Sequence, residues 1–535
     1  MHWEKHDPAR IFLQQPFEGK WKKWTYQEAG TEIRRIASAL KELDLPVNSN
    51  IAILSKNCAH WIMADLAIFM AGHVSVPLYP TLAASTIGQI LKHSGSRVLF
   101  VGKLDNFESQ RTGIPVDVHC ISFTLYGEKQ GEQWDALLAN HLPLDHVANR
   151  KPEEIGTIKY TSGTTGNPKG VMITFAAMHH ATTCALKGFD LPPWGVRFFS
   201  YLPLSHIAER MLVQMGAIYS GAAIYFSESL EKFPENLMET QPTIFLGVPR
   251  IWDKFREKIQ LKMPRLEMLL KIPLINNIVK KAIRRKLGLS KAKWIITGAA
   301  PISVSLLEWF QKIGITIHEA YGMTENMAYS HINLRQVKFG SVGKAWPDIT
   351  VRLSVDGEIQ MKSKALMTGY YREPELTAEV FTPDGFLKTG DKGEIDNEGF
   401  LTITGRIKDQ FKTDKAKFVD PAPIELKLAS DPSIEQVCVV GTGLPQPIAL
   451  VVLSALARDK SREAVETSLT DTMKAVNPTL DSHAKVRSAV ILKDDWTIEN
   501  GLMTPSLKVK RNEVEKKYAS KYNEWSSKGA QVVWD

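Results

Sequence analysis

The chain has 535 residues, 44% apolar and 23% charged, and a net charge of +8. That length is too great for one compact core and the composition is that of a folded, water-soluble protein, so two or more domains are expected. Its four cysteines, Cys58, Cys120, Cys184 and Cys438, lie far apart with no C-x-x-C pair, which argues against a disulfide framework or a zinc site and fits a reducing cytosol.

The start, Met1-His2-Trp3-Glu4-Lys5, has no apolar secretory core, so a cytoplasmic location is expected. Short apolar runs at 50–54, 73–76, 97–101, 222–226 and 293–296, most of them rich in Val or Ile, predict strands buried on both faces. Helical stretches alternate with them, which predicts parallel sheets with helices on both faces. The most apolar window, 61–79, is interrupted by Asp65, His73 and Pro77. It predicts a buried helix followed by a buried strand rather than a membrane span.

The run Tyr160-Thr161-Ser162-Gly163-Thr164-Thr165-Gly166-Asn167-Pro168-Lys169-Gly170 comes next. Glycines and hydroxyl residues leave backbone N–H groups uncovered, forming a concave anion site to which Lys169 adds a mobile charge. Polyphosphate suits such a site, although the spacing is not that of the common phosphate loop. Read alone, the run is also compatible with an ordinary turn.

Between Lys254 and Lys293 thirteen Lys/Arg stand against Glu257 and Glu267, a local charge of +11. Ile275, Ile278, Val279, Ala282 and Ile283 recur at helical spacing, with Lys280, Lys281, Arg284 and Arg285 mostly opposite, between Pro273 and Gly288. The pattern predicts a basic amphipathic helix. It reads either as a solvated face or as peripheral contact with the inner face of a membrane through 254–293. Nucleic acid is disfavoured, because no aromatic residues interleave the charges. From Gly385 onward the texture changes to short turns, and the charged stretch Arg406-Ile407-Lys408-Asp409 suits a hinge.

Further segments follow in a fixed order: Tyr201-Leu202-Pro203-Leu204-Ser205-His206, Gly298-Ala299-Ala300-Pro301, Tyr321-Gly322-Met323-Thr324-Glu325, Thr389-Gly390-Asp391, Gly405-Arg406, and Pro505-Ser506-Leu507-Lys508-Val509-Lys510-Arg511. Their residue types suit activation of a carboxylic acid. There an anionic oxygen must attack a crowded α-phosphorus, so a hard ligand such as Glu325 would hold Mg2+ on the phosphates. Thr324 can donate to an α-phosphate oxygen, and Lys508 can bridge carboxylate and phosphate. Asp391 can accept from ribose hydroxyls, and Tyr321 offers a flat face to adenine. Taken singly, Asp391 also reads as a turn residue, Glu325 as a helix cap and His206 as a structural histidine.

Together with the run 160–170, these segments resemble the adenylate-forming enzymes, and the resemblance spans nearly the whole chain. It implies an α/β fold: a large N-terminal domain, 1–407, of doubly wound sheets plus a distorted β-barrel, and a small mobile C-terminal α+β domain, 408–535. It implies an ATP/AMP site at Thr161, Ser162, Gly163, Thr164, Thr165, Gly166, Lys169, Gly298, Ala299, Ala300, Glu319, Ala320, Tyr321, Gly322, Asp391 and Arg406. Catalysis falls to Lys508, Thr324 and Glu325, with Glu325 and Thr161 on the metal. His206, Gly247 and Val248 are implied at the acyl pocket and gate, Lys408 at the hinge, and Lys412 in the thiolation state.

Leu204-Ser205-His206-Ile207-Ala208-Glu209-Arg210, Val248-Pro249-Arg250-Ile251-Trp252 and Leu507 are similar to the long-chain fatty acyl-CoA synthetase branch. That implies a fatty acid, ATP and CoA as substrates. A carrier-protein phosphopantetheine as acceptor, or a catalytically idle binding protein, are the alternatives. Two departures stand out: Ala416 where the family usually has Gly, and Phe175 where relatives often place His. If position 416 needs a positive φ, its Cβ costs about 1 kcal/mol.

Overall fold

The computed structural model describes residues 2–162, 168–192, 194–504 and 508–535, apart from the side chains of Ser162 and Leu274. The apolar runs become strands close to where the sequence places them: Asn50–Leu54, Val74–Leu78, Val98–Val101, Ala223–Phe226 and Trp294–Thr297. The window 61–79 resolves into helix Ala59–Ala71, stopped by Gly72 at φ 92°, and strand Val74–Leu78. Gly72 takes the left-handed conformation at no Cβ cost, and its N–H closes on the Ile68 and Phe69 carbonyls.

Among the described residues two large sheets share the N-terminal part. In one, Val74–Leu78, Asn50–Leu54, Val98–Val101 and His119–Ser122 run parallel, and Ile155–Ser162 joins them in parallel beside Val74–Leu78. In the other, Ala223–Phe226, Arg197–Ser200, Ile244–Gly247, Trp294–Thr297 and His318–Tyr321 run parallel. Helix Ala59–Ala71 is buried nearly all round, as a helix enclosed between packed layers must be. A four-stranded antiparallel sheet follows, made of Thr350–Leu353, Glu358–Lys362, Leu387–Ile395 and Leu401–Arg406.

After the single turn Ile407–Asp409, a separate four-stranded sheet forms from Ile434–Val440, Ile448–Leu453, Ala489–Ile491 and Val532–Trp534. Its two faces carry separate cores: Val439, Val451 and Ile491 pack toward helix Arg462–Val476, and Val440, Leu450 and Val490 pack toward Tyr518 and Trp525. The N-terminal apolar clusters draw on no residue beyond Ile403, and these two draw on none before Phe411.

The basic helix forms at Pro273–Lys286, with Pro at its start and Gly288 at φ 75° beyond its end. Its faces differ from expectation. Among its described side chains only Val279 and Ile283 are buried, while Ile275, Ile278 and Ala282 face outward beside Lys281 and Arg285. The helix meets its neighbours along one narrow stripe. Arg284 is half-buried and donates to the carbonyls of Leu289 and Ala292, so it caps the chain's exit from the helix.

Candidate active site

The strands Ile155–Ser162 and Pro168–Thr174 form an antiparallel hairpin in which Thr161 pairs with Lys169. Gly163, Thr164, Thr165 and Gly166, between these strands in the sequence, lie outside the described residues, as does the side chain of Ser162. Near the Ser162/Pro168 end of this strand pair the Lys169 ammonium sits 5.7 Å from the Tyr370 ring centre. The Tyr370 hydroxyl donates to Glu325 Oε1 at 2.9 Å. The hairpin and the turn carrying Glu325 are thus joined through Tyr370, which sequence reasoning did not single out.

The turn Thr324–Asn326 owes its shape to close backbone packing. A Cβ on Gly322 would lie 2.5 Å from the Ala328 carbonyl carbon, so only glycine fits there. The Met323 N–H donates to Asn326 Oδ1 at 2.9 Å, and the Met367 N–H to the Glu325 carbonyl at 2.7 Å. Burial raises the Glu325 pKa, with its hydrogen bonds opposing. An acidic oxygen drawn into the interior, with a neutral hydroxyl as its side-chain partner, favours a nearby cation. Glu325 and Thr161 are hard oxygen donors, which suits Mg2+.

A second cluster forms around Asp391. Its strand lies opposite Arg406 in register, and a bulge follows at Lys392/Gly393. Arg406 Nε donates to Asp391 Oδ1 at 3.0 Å, and the Tyr321 hydroxyl donates to Oδ2 at 2.6 Å. The Asp391 N–H donates to Thr389 Oγ1 at 3.1 Å, fixing the turn at Gly390, φ 73°. Two carboxylate oxygens offer about four acceptor directions, so room remains for a diol.

Lys508 reaches this cluster from the C-terminal sheet domain. Protein surrounds it on most sides and draws its ammonium pKa down; Arg406 acts the same way, while Asp391 and Glu325 oppose. Its side chain is nevertheless exposed to solvent. The Thr504 N–H donates to the Lys508 carbonyl at 2.8 Å, and the Lys508 N–H to Thr504 Oγ1 at 3.0 Å. An ion pair between Arg250 and Glu435 also spans the two parts.

On the other flank, His206 precedes six residues wound as a π-helix, Arg210–Met215, a geometry frequent at functional sites. Burial, with Lys159 and Lys508, pushes its pKa down to about 3. The Ala208 N–H donates to His206 Nδ1 at 3.3 Å, so the ring is neutral. Gly247 ends a strand against Trp252, whose ring a Cβ would meet at 2.6 Å, and Val248 precedes helix Pro249–Lys262. Gly298 follows its strand within 3.0 Å of the Ala320 carbonyl, measured from the place of a Cβ, and Ala299 takes φ 68°.

Two buried groups went unread in the sequence. Lys159, 1% exposed, has its ammonium 3.2 Å from the Tyr79 hydroxyl, and burial brings its pKa down to about 7 with Glu325 opposing. Glu209 is buried under the 201–206 segment, accepting from the Tyr201 N–H at 3.1 Å, and its pKa is pushed up to about 8. Neither is legible as internal without the fold, because strands and turns of ordinary sequence also carry such residues outward.

Some expected residues stand apart. The Glu319 carboxylate is spent on the Gly340 N–H at 3.2 Å and Asn333 Nδ2 at 3.4 Å, which leaves its backbone, not its side chain, on the nucleotide side. Lys412 rests 4.7 Å from the Phe418 ring centre on the Phe411–Lys412 strand. None of its recorded contacts among the described residues reaches the cleft. Lys408 is exposed within the turn Ile407–Asp409. Ala416 does adopt a positive φ, 54°. Phe175 packs edge-on to Phe69 at 5.1 Å and beneath Arg150.

Asp391, Arg406, Tyr321 and Lys508 thus lie in one neighbourhood, with Glu325 close by. The model for AMP-binding enzymes matches residues 2–371, and that for the AMP-binding enzyme C-terminal domain matches residues 408–527. The chain belongs to this adenylate-forming family, on its long-chain fatty acyl-CoA ligase branch. It is similar to long-chain-fatty-acid–CoA ligase FadD15 of Mycobacterium tuberculosis, 29% identical over 97% of this chain and 94% of that one. It is 30% identical to long-chain-fatty-acid–CoA ligase 5 of Rattus norvegicus, over 87% of this chain and 78% of the relative. Its fold is that of the adenylation domain of a Mycobacterium chelonae carboxylate reductase: TM-score 0.82, 22% identity, 97% and 89% coverage. It also matches o-succinylbenzoate CoA synthetase of Bacillus subtilis: TM-score 0.77, 22% identity, 96% and 97% coverage.

Proposed function

We propose that this chain is a long-chain fatty acid:CoA ligase forming AMP. The observation that carries the reading is the convergence of Lys508, Glu325, Asp391 and Arg406 on one cleft beside the hairpin 155–174. A fatty carboxylate oxygen attacks the α-phosphorus of ATP, and the bond to the bridging oxygen of pyrophosphate breaks. The thiol of CoA then attacks the acyl carbonyl of the acyl-adenylate, AMP leaves, and the thiol proton is lost.

In the first step Lys508 sits between carboxylate and α-phosphate, where its charge offsets the growing negative charge. Lys169 and the N–H groups of the loop hold the outer phosphates. Asp391 and Arg406 hold the ribose, and Tyr321 lies against adenine. Mg2+, held by Glu325 and Thr161, would neutralise phosphate charge and orient the leaving group. His206 with Gly247 and Val248 shapes the mouth of the acyl pocket.

We divide the chain into domains 1–407 and 408–535, with Lys408 at the hinge. The separation of their apolar cores supports this division. In the second step the smaller domain turns about that hinge, withdraws Lys508 and brings Lys412 toward the cleft. The same reading includes peripheral membrane contact through 254–293, since long-chain acids partition into bilayers.

The test is a panel of acids of graded length, scored for pyrophosphate release with and without CoA. Acid-dependent release that yields thioester only with CoA supports the ligase. Transfer to a carrier-protein phosphopantetheine but not to CoA would replace it with the carrier-loading alternative.

A further inference from the structure

We propose that helices Pro249–Lys262, Leu266–Leu270 and Pro273–Lys286 together form a docking face for an anionic lipid bilayer. This deepens the fatty acid reading, and rests on it for the reason such an enzyme visits a membrane. The outward side of a surface helix normally carries polar residues. Here Leu261 is 71% exposed, Ile278 68% and Met268 55%, and Ile272 and Ile275 are exposed beside them. On the last helix Ile275, Ile278 and Ala282 follow one another at helical spacing along the solvent side.

Cations surround these apolar side chains. Lys258, Lys262, Arg265, Lys271, Lys281 and Arg285 are exposed, and among the described residues none of the six is in an ion pair. A hollow of about 620 Å³, whose lining includes Met263, Arg265, Glu267, Met268, Lys271 and Trp309, lies beside them. Apolar side chains set among unpaired cations match the boundary between acyl chains and phosphate headgroups. The local charge of +11 argues against a second copy as occupant, because a symmetric contact would press like charge on like.

The experiment uses the full chain and vesicles of phosphatidylcholine, alone or mixed with phosphatidylglycerol. Each cation near an anionic surface is worth roughly five-fold in partitioning. Wild type should sediment with the anionic vesicles only. Lys281→Glu/Arg285→Glu should lower binding by roughly twenty-five-fold or more, and Ile275→Ser/Ile278→Ser by about ten-fold or more. Both pairs should keep the wild-type melting temperature and turnover of detergent-dispersed acid. Failure of wild type to bind anionic vesicles, or undiminished binding by either pair, overturns the proposal. So does an oligomer that Ile275→Ser/Ile278→Ser dissolves while vesicles go unbound, since that assigns the face to protein. Vesicle binding without turnover of any long-chain acid would remove the ligase reading and leave the docking face standing.

Discussion

Lys508 stands in a field shaped by one cation, Arg406, and two carboxylates, Asp391 and Glu325, so its charge is placed where negative charge grows. A lost donor of this kind costs ~3 kcal/mol of barrier. Lys508→Ala should therefore slow acid-dependent pyrophosphate release by about a hundred-fold or more, while thioester formation from supplied acyl-adenylate falls far less. Equal losses in both half-reactions would show a structural role instead. Glu209 gives a pH signature. Its pKa rises from 4.5 to about 8, so across that interval the folded chain holds a proton that the unfolded chain has released. Stability from this group is full below the lower value and is lost as pH rises through the upper one. In calorimetry from ~pH 5 to ~pH 8.5, the melting temperature of wild type should fall relative to Glu209→Gln. A constant difference would mean that Glu209 is ionised throughout.

Two turns show how elements hold residues in place. The turn that presents Glu325 depends on backbone packed against Gly322, so Gly322→Ala must move the Ala328 backbone. That change should cost about 2 kcal/mol or more in denaturant unfolding and remove adenylation with it. The loop at Ala416 is the opposite case: a side chain occupies a left-handed position, φ 54°, in the open. Ala416→Gly should stabilise the protein by up to ~1 kcal/mol without slowing thioester formation. A destabilised variant would show that the Ala416 methyl group contributes contacts that outweigh its strain.

Across the whole molecule the two parts are joined by the single turn Ile407–Asp409, and the half-exposed Arg250–Glu435 pair also links them. An exposed pair of this sort is worth at most ~1 kcal/mol, so it biases the domain arrangement without locking it. Removing a rotatable φ at the proposed hinge should separate the half-reactions. Lys408→Pro should keep pyrophosphate release within about a few-fold of wild type and cut thioester output by ten-fold or more. Equal retention of both would place the pivot elsewhere.

The chain alone determined its strands, the buried helix within 61–79 and the family to which its motifs belong. These depend on local pattern: apolar runs too short for helices, glycines where backbones cross, and charges at fixed spacing. Tertiary structure alone decided what each group faces. Tyr370 links Lys169 to Glu325, Lys159 lies inside rather than out, Glu319 braces a loop, and Ile275 and Ile278 point to solvent. Periodicity gives the angle between side chains around one axis, but the surface that meets the next layer is set by contacts between residues hundreds of positions apart.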